Sequence, residues 1–195
     1  KFLRIWQLPR GDSKYIIGVD AAEGLPDRDY SAAVVLSKST MQHVATLRGR
    51  LPIDVFTGKL AQLGAQFNNA LLVIERSGGF GQAVIELLKR QGYQHLYREG
   101  ISNVSPYGWS TNVRTRHTMT SELTAVINSL ELRTDDTILL DELMGFQFID
   151  GKAQAPTDAH DDCIFALMLA LVVRNRAALV RVGRPTAGRY ADALV

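Results

Sequence analysis

Four acidic side chains and a histidine carry the chemistry that can be read from this chain. Asp20 ends the run IIGVD, Glu75 ends LLVIE, and His160, Asp161 and Asp162 stand at the head of the apolar stretch that follows AHDD. Each has an ordinary structural use. A strand-end aspartate bonds turn amides, an aspartate at a helix start caps it and favours its positive end, Glu75 beside Arg76 reads as a rim ion pair, and His160 as a hydrogen-bonding residue at a helix start. Three acidic sites in similar settings change that balance. Two carboxylates about 5 Å apart repel by roughly 3 kcal/mol at an effective dielectric near 20, so a cluster of them needs protons or cations. Oxygen ligands without thiolates favour Mg²⁺ or Mn²⁺ over zinc. Two such ions about 3.5–4 Å apart serve in-line phosphodiester cleavage.

The elements that must position these acids follow from periodicity. Residues 15–20 form a near-continuous apolar strand, which predicts a central place covered on both faces. Residues 30–37 and 41–48 continue it as an antiparallel meander. After Pro52, Phe56, Leu60, Leu63 and Phe67 recur at helical spacing. The strand 71–74 then ends in Glu75, and Gly78-Gly79-Phe80-Gly81 leads into a helix that Gly92 can cap. A right-handed crossover lays strand 71–74 parallel to an earlier one, and beside strand 15–20 it brings Asp20 and Glu75 to the same edge. Residues 93–98 read as a further short strand, and Met119, Leu123, Val126 or Ile127, and Leu130 as an amphipathic helix. Thr137 to Leu140 is a short apolar element. Residues 146–149 and 152–155 pair as a hairpin across Asp150-Gly151. The helix from Asp161 to about Arg176 has no polar face and is expected to be buried, with its acidic start at the surface.

Length and composition set bounds. The chain has 195 residues, 46% of them hydrophobic, which suits one well-buried domain. We expect residues 15–178 to be that domain, 1–14 a linker from an upstream domain and 179–195 a flexible tail. The run Ile164 to Val173 is about half of the roughly 20 residues a membrane span needs, so no membrane association is expected. The lone Cys163 lacks a partner for a disulfide or a Cys-x-x-Cys site and reads as a buried helical residue. The formal charge of +2 does not identify a nucleic-acid binder. Arg114, Arg116 and His117 cluster, as do Arg174, Arg176, Arg181, Arg184 and Arg189. Gly79-x-Gly81 lacks the third glycine of a dinucleotide fingerprint, and no Walker A loop is present.

The order of elements resembles the ribonuclease H-like fold: an α/β architecture with a central mixed sheet, an antiparallel three-strand meander plus parallel strands, flanked by helices. Within it, GVDAAEG followed by DRDYSAAVVL, then LLVIE, GFGQAVIELLKRQGY, GWSTNVRTR and AHDDCIFALMLAL resemble the nuclease domain of a tailed-bacteriophage large terminase subunit. That resemblance implies a metal-dependent endonuclease cutting concatemeric double-stranded DNA during genome packaging by a two-metal mechanism, in the cytoplasm of an infected bacterium. Asp20 and Glu75 match the first two metal-binding acids and Asp161-Asp162 the late pair, with Asp162 the more direct ligand. Asp29 and His160 are accessory candidates, and Arg114 and Arg116 candidate DNA contacts. Mg²⁺ or Mn²⁺ is implied, as two ions. An ATPase motor in the same subunit, the portal and the small terminase subunit are the implied partners. Junction resolvases and transposases share this carboxylate geometry and remain alternatives. So do an actin-like kinase, which requires a second lobe and phosphate loop not found here, and a non-catalytic DNA-docking module.

Overall fold

A computed structural model describes residues 2–100, 102, 104–149, 152–156 and 159–174. A five-stranded sheet lies between two layers of helices. Its strands are β1 (Leu3–Ile5), β2 (Tyr15–Asp20), β3 (Ser31–Ser37), β4 (His43–Gly49) and β5 (Leu71–Ile74), in the spatial order β1-β4-β3-β2-β5. All neighbours are antiparallel except β2 and β5, which are parallel and aligned Ile16 with Leu71 through Val19 with Ile74. The mixed sheet predicted from the sequence is therefore present, with one parallel pair.

Side-chain alternation divides the core in two. Ile16, Val34, Leu36, Leu71 and Val73 face a layer made by α3 (Val113–Asn128), α4 (Thr137–Gly145) and α5 (Asp162–Arg174). Ile17, Val19, Val35, Leu72 and Ile74 face α1 (Ile53–Gln66) and α2 (Phe80–Arg90). The parity also aims the acids: Asp20 shares a face with Ile16 and Gly18, and Glu75 shares one with Leu71 and Val73. Both therefore point to the α5 side.

Helix α5, buried from Asp162 to Val173, lies directly on β2. A Cβ on Gly18 would stand 1.8 Å from the carbonyl oxygen of Ala166, so only glycine permits this approach. The contact holds the start of α5 above the end of β2. Glu142 on α4 secures that start, its Oε2 accepting from the backbone N–H groups of Cys163 at 2.9 Å and Ile164 at 3.1 Å.

Several expectations are refined. Leu3–Ile5, within the segment expected to be a linker, pairs with Leu47 to Ala45 as the sheet's edge, because β4 otherwise leaves one side of its ladder unmade. Residues 93–98 form no strand among the described residues. Instead Leu72 bonds His95 and Tyr97, while Ile74 and Arg76 bond Trp109, so two loop segments share the place beside β5. Thr137 to Leu140 opens helix α4, capped by Asp136, whose side chain accepts from the Ile138 N–H. On α3 the buried seam is Met119, Leu123 and Val126, while Ile127 is exposed and Leu130 lies beyond the helix end. The paired strands β6 (Gln147–Ile149) and β7 (Lys152–Gln154) form the expected hairpin. Its Asp150-Gly151 turn and the expected tail at 179–195, with Arg176, Arg181, Arg184 and Arg189, lie outside the described residues.

Candidate metal centre

The carboxyl-terminal ends of β2 and β5 open into a cavity of about 640 Å³ at the start of α5. Asp20, Asp29, Glu75, His160, Asp161 and Asp162 all line it, with Arg28 and Arg116 as its cations. The backbone explains the convergence of the strand-end acids. Glu75 donates its N–H to the Val19 carbonyl at 3.0 Å, which continues the parallel ladder and brings its side chain beside Asp20. Helix α2 starts tightly behind Glu75: a Cβ on Gly81 would lie 1.6 Å from the Glu75 carbonyl oxygen.

The acids differ in what already engages them. Ligand atoms of Asp29, His160 and Asp162 lie within 4.8 Å of one another, a grouping with metal-site dimensions. Asp20 and Glu75 join no cluster of three that tight among the described residues. Asp162 Oδ2 accepts from Arg48 Nη2 at 3.2 Å and lies 3.6 Å from His160 Nδ1. Asp161 Oδ2 accepts from the Ala155 N–H at 3.1 Å, tying the segment after β7 to the helix start. Glu75 Oε2 accepts from the Ser77 N–H at 2.9 Å.

Burial and like charge act together on Asp20. Loss of solvent, then the charges of Asp162, Glu75, Asp161 and Asp29, push its pKa up to about 8. Burial also raises Asp162, against the lowering effect of Arg48 and His160. This donor set fits a hard divalent cation: its oxygens are clustered, they destabilise one another's charged forms, and no thiolate stands among them. Cys163 is buried within α5, where loss of solvent raises its thiol pKa. That agrees with a packing role.

No protein-family model matches the chain, and no curated protein matches it in sequence. Solved structures do match. The large terminase nuclease from thermophilic phage G20c with bound magnesium is similar at a TM-score of 0.70 and 22% identity, over 88% of this chain and 87% of that one. The same nuclease with bound cobalt has a TM-score of 0.71 at 23% identity, with the same coverage. The Thermus phage P74-26 large terminase nuclease domain has a TM-score of 0.69 at 22% identity, over 87% of this chain and 84% of that one. The chain has the terminase nuclease fold. It is ribonuclease H-like, as the order of elements implies.

On this terminase nuclease fold, Arg116 reaches the cavity with its guanidinium 4.4 Å from the Phe165 ring centroid. Arg114, two residues earlier on α3, is exposed and lines neither cavity described for the molecule. Sequence reading missed a group behind the acids. Arg48 pairs with Asp162 and lies 3.7 Å from Glu142, and its guanidinium sits 3.6 Å from the Tyr30 ring centroid. Tyr30 in turn meets the His160 ring edge-on at 5.0 Å. A signal existed in Arg48-Gly49-Arg50, two cations at strand alternation. Its meaning depended on Ser31 pairing with Gly49, a register that the residues alone do not specify.

Proposed function

We propose that this chain is a metal-dependent endonuclease that hydrolyses double-stranded DNA, acting as the nuclease domain of a phage terminase large subunit. The observation that carries the reading is the meeting of Asp20, Glu75, Asp161 and Asp162, with Asp29 and His160, in one cavity at the carboxyl edge of the parallel pair. The similar solved nucleases with bound magnesium, cobalt and zinc support it.

Asp20, Glu75 and Asp162 would hold the cations, Mg²⁺ or Mn²⁺, with Asp29 and His160 completing the shell around Asp162. We propose two ions, because the acids spread from β5 across β2 to α5 rather than around one point. When bound, such ions lower the pKa of water and polarise a phosphodiester oxygen. The chain's own residues do the rest. Asp161, bonded to the Ala155 N–H, holds the helix start in register, while Arg48 fixes Asp162 through its Oδ2. Arg116 and Arg28 offer positive charge to the phosphates that must enter an otherwise acidic site.

The reading carries with it an ATPase motor in the same subunit, the portal and the small terminase subunit as partners, and the host cytoplasm as the place of action. Among the described residues no helix is long and apolar enough to cross a membrane.

Incubation with supercoiled plasmid tests the reading. Nicked and linear products are expected with Mn²⁺ or Mg²⁺ and not with chelator, and Asp20→Asn or Glu75→Gln should reduce them at least a hundredfold. Intact plasmid at all metal concentrations, with folded protein, overturns the assignment.

A further inference from the structure

A second cavity of about 380 Å³ adjoins the acidic one, with Tyr30 lining both. Arg4, Arg48 and Arg50 line it together with Phe2, Gly49 and Ile138. Two of its three cations are already neutralised. Arg4 binds Asp136 with both terminal nitrogens, at 2.9 and 3.1 Å, and Arg48 is engaged by Asp162 and Glu142. Arg50 is different. Its Nε donates to the Arg28 carbonyl at 2.7 Å and its guanidinium sits 4.1 Å from the Tyr30 ring centroid, yet its terminal nitrogens meet no carboxylate among the described residues. Backbone and ring thus fix the orientation of a planar, bidentate donor without discharging it, the arrangement that suits a phosphate. Tyr30 touches both this donor and His160 of the acidic cavity.

Resting on the nuclease reading, we propose that the second cavity is the subsite for a DNA phosphodiester flanking the one that is cut, and that Arg50 is its cation. A strand whose scissile phosphate lies among the acids gains nothing from their negative charge outside the cations they hold. An Arg in the adjoining cavity, stacked on Tyr30, supplies the attraction that the acids cannot, and it sets the register of the strand. Tyr30, in contact with both Arg50 and His160, sets the spacing between the two positions.

The test is binding of a fluorescein-labelled duplex oligonucleotide by anisotropy across a salt series in chelator, beside plasmid nicking in Mn²⁺. Wild type, Arg50→Ala, Arg50→Lys and the control Arg90→Ala are compared. Arg90 is exposed in the last turn of α2, at the opposite end of that helix from the cavity. Arg50→Ala should weaken binding severalfold and flatten the slope of log K against log salt by about 0.9, the loss of one phosphate contact on duplex DNA. Arg50→Lys should restore the slope with weaker binding, because an ammonium cannot bind bidentately. In nicking, Arg50→Ala should raise KM and leave kcat and the Mn²⁺ requirement near wild type. An unchanged slope in Arg50→Ala, or an equal change in Arg90→Ala, overturns the subsite. Absence of nicking by the wild type overturns the nuclease reading instead, and the salt slope still decides whether Arg50 contacts phosphate.

Discussion

Asp20 shows most directly how one residue carries opposing demands. Its pKa of about 8 lies above that of an aspartate in an unfolded chain, near 3.9. Between these values the folded protein binds more protons than the unfolded one, so stability falls as pH rises through this window. In chelator, wild-type stability should decline from about pH 4 to pH 8 by an amount on the order of a few kcal/mol, and Asp20→Asn should flatten that decline; denaturant melts at each pH measure it. Equal profiles would show that burial and the neighbouring acids do not raise the Asp20 pKa in the folded chain. Arg48 is the resident counter-charge. Arg48→Gln leaves Glu142 and Asp162 buried without it, and should cost about 3 kcal/mol in chelator. Because a cation in the cavity then replaces the missing charge, the Mn²⁺-induced rise in Tm should be larger in this variant than in wild type. A smaller rise would mean that Arg48 chiefly orients Asp162 for the metal.

At the scale of elements, the contact of α5 with β2 decides whether a site exists. Gly18 has no room for a methyl group against the Ala166 carbonyl and the Ala170 N–H, which a Cβ would approach to 1.8 and 2.8 Å. Gly18→Ala must therefore push the helix outward, at a cost of about 3 kcal/mol or more. Since the same shift draws Asp162 away from Asp20, nicking should fall even at temperatures where the variant is folded. Calorimetry together with the plasmid assay checks both, and full activity in a destabilised variant would show that the site tolerates the displacement. Capping fixes the other elements about the cavity. Asn112 and Thr115 form a reciprocal capping box at the start of α3, which sets the turn carrying Arg116. Asp136 caps α4 while holding Arg4 of β1 and Thr46 of β4, so the edge strand and the helix bearing Glu142 are tied through one carboxylate.

For the molecule as a whole, metal binding and folding should be linked, because ligands drawn from β2, β5 and α5 come together only in the folded chain. A ligand that binds the native state alone stabilises it by mass action, about 2.7 kcal/mol at a concentration 100-fold above Kd. Melting curves should rise with Mn²⁺ concentration for wild type and much less for Asp20→Asn, although the mutant should be the more stable of the two in chelator at neutral pH. Equal metal-induced shifts in both proteins would remove Asp20 from the metal centre.

What the residues determined alone was the local and periodic part. Apolar runs ending in Asp20 and Glu75, the change to helical spacing after Pro52, and the unrelieved apolar face of residues 164–173 specified strands, helices and the acids at their ends. Side-chain parity along a strand is fixed once the strand is known, so the shared face of Asp20 and Gly18 was also implicit. Tertiary structure decided what depends on register and close approach. The pairing of Ser31 with Gly49 brings Tyr30 among Arg48 and Arg50, the edge of β4 takes up Leu3–Ile5, and two loops rather than a strand complete the ladder beside β5. Such contacts join residues far apart in the chain, and a short cationic or apolar segment has many possible partners until packing leaves it one.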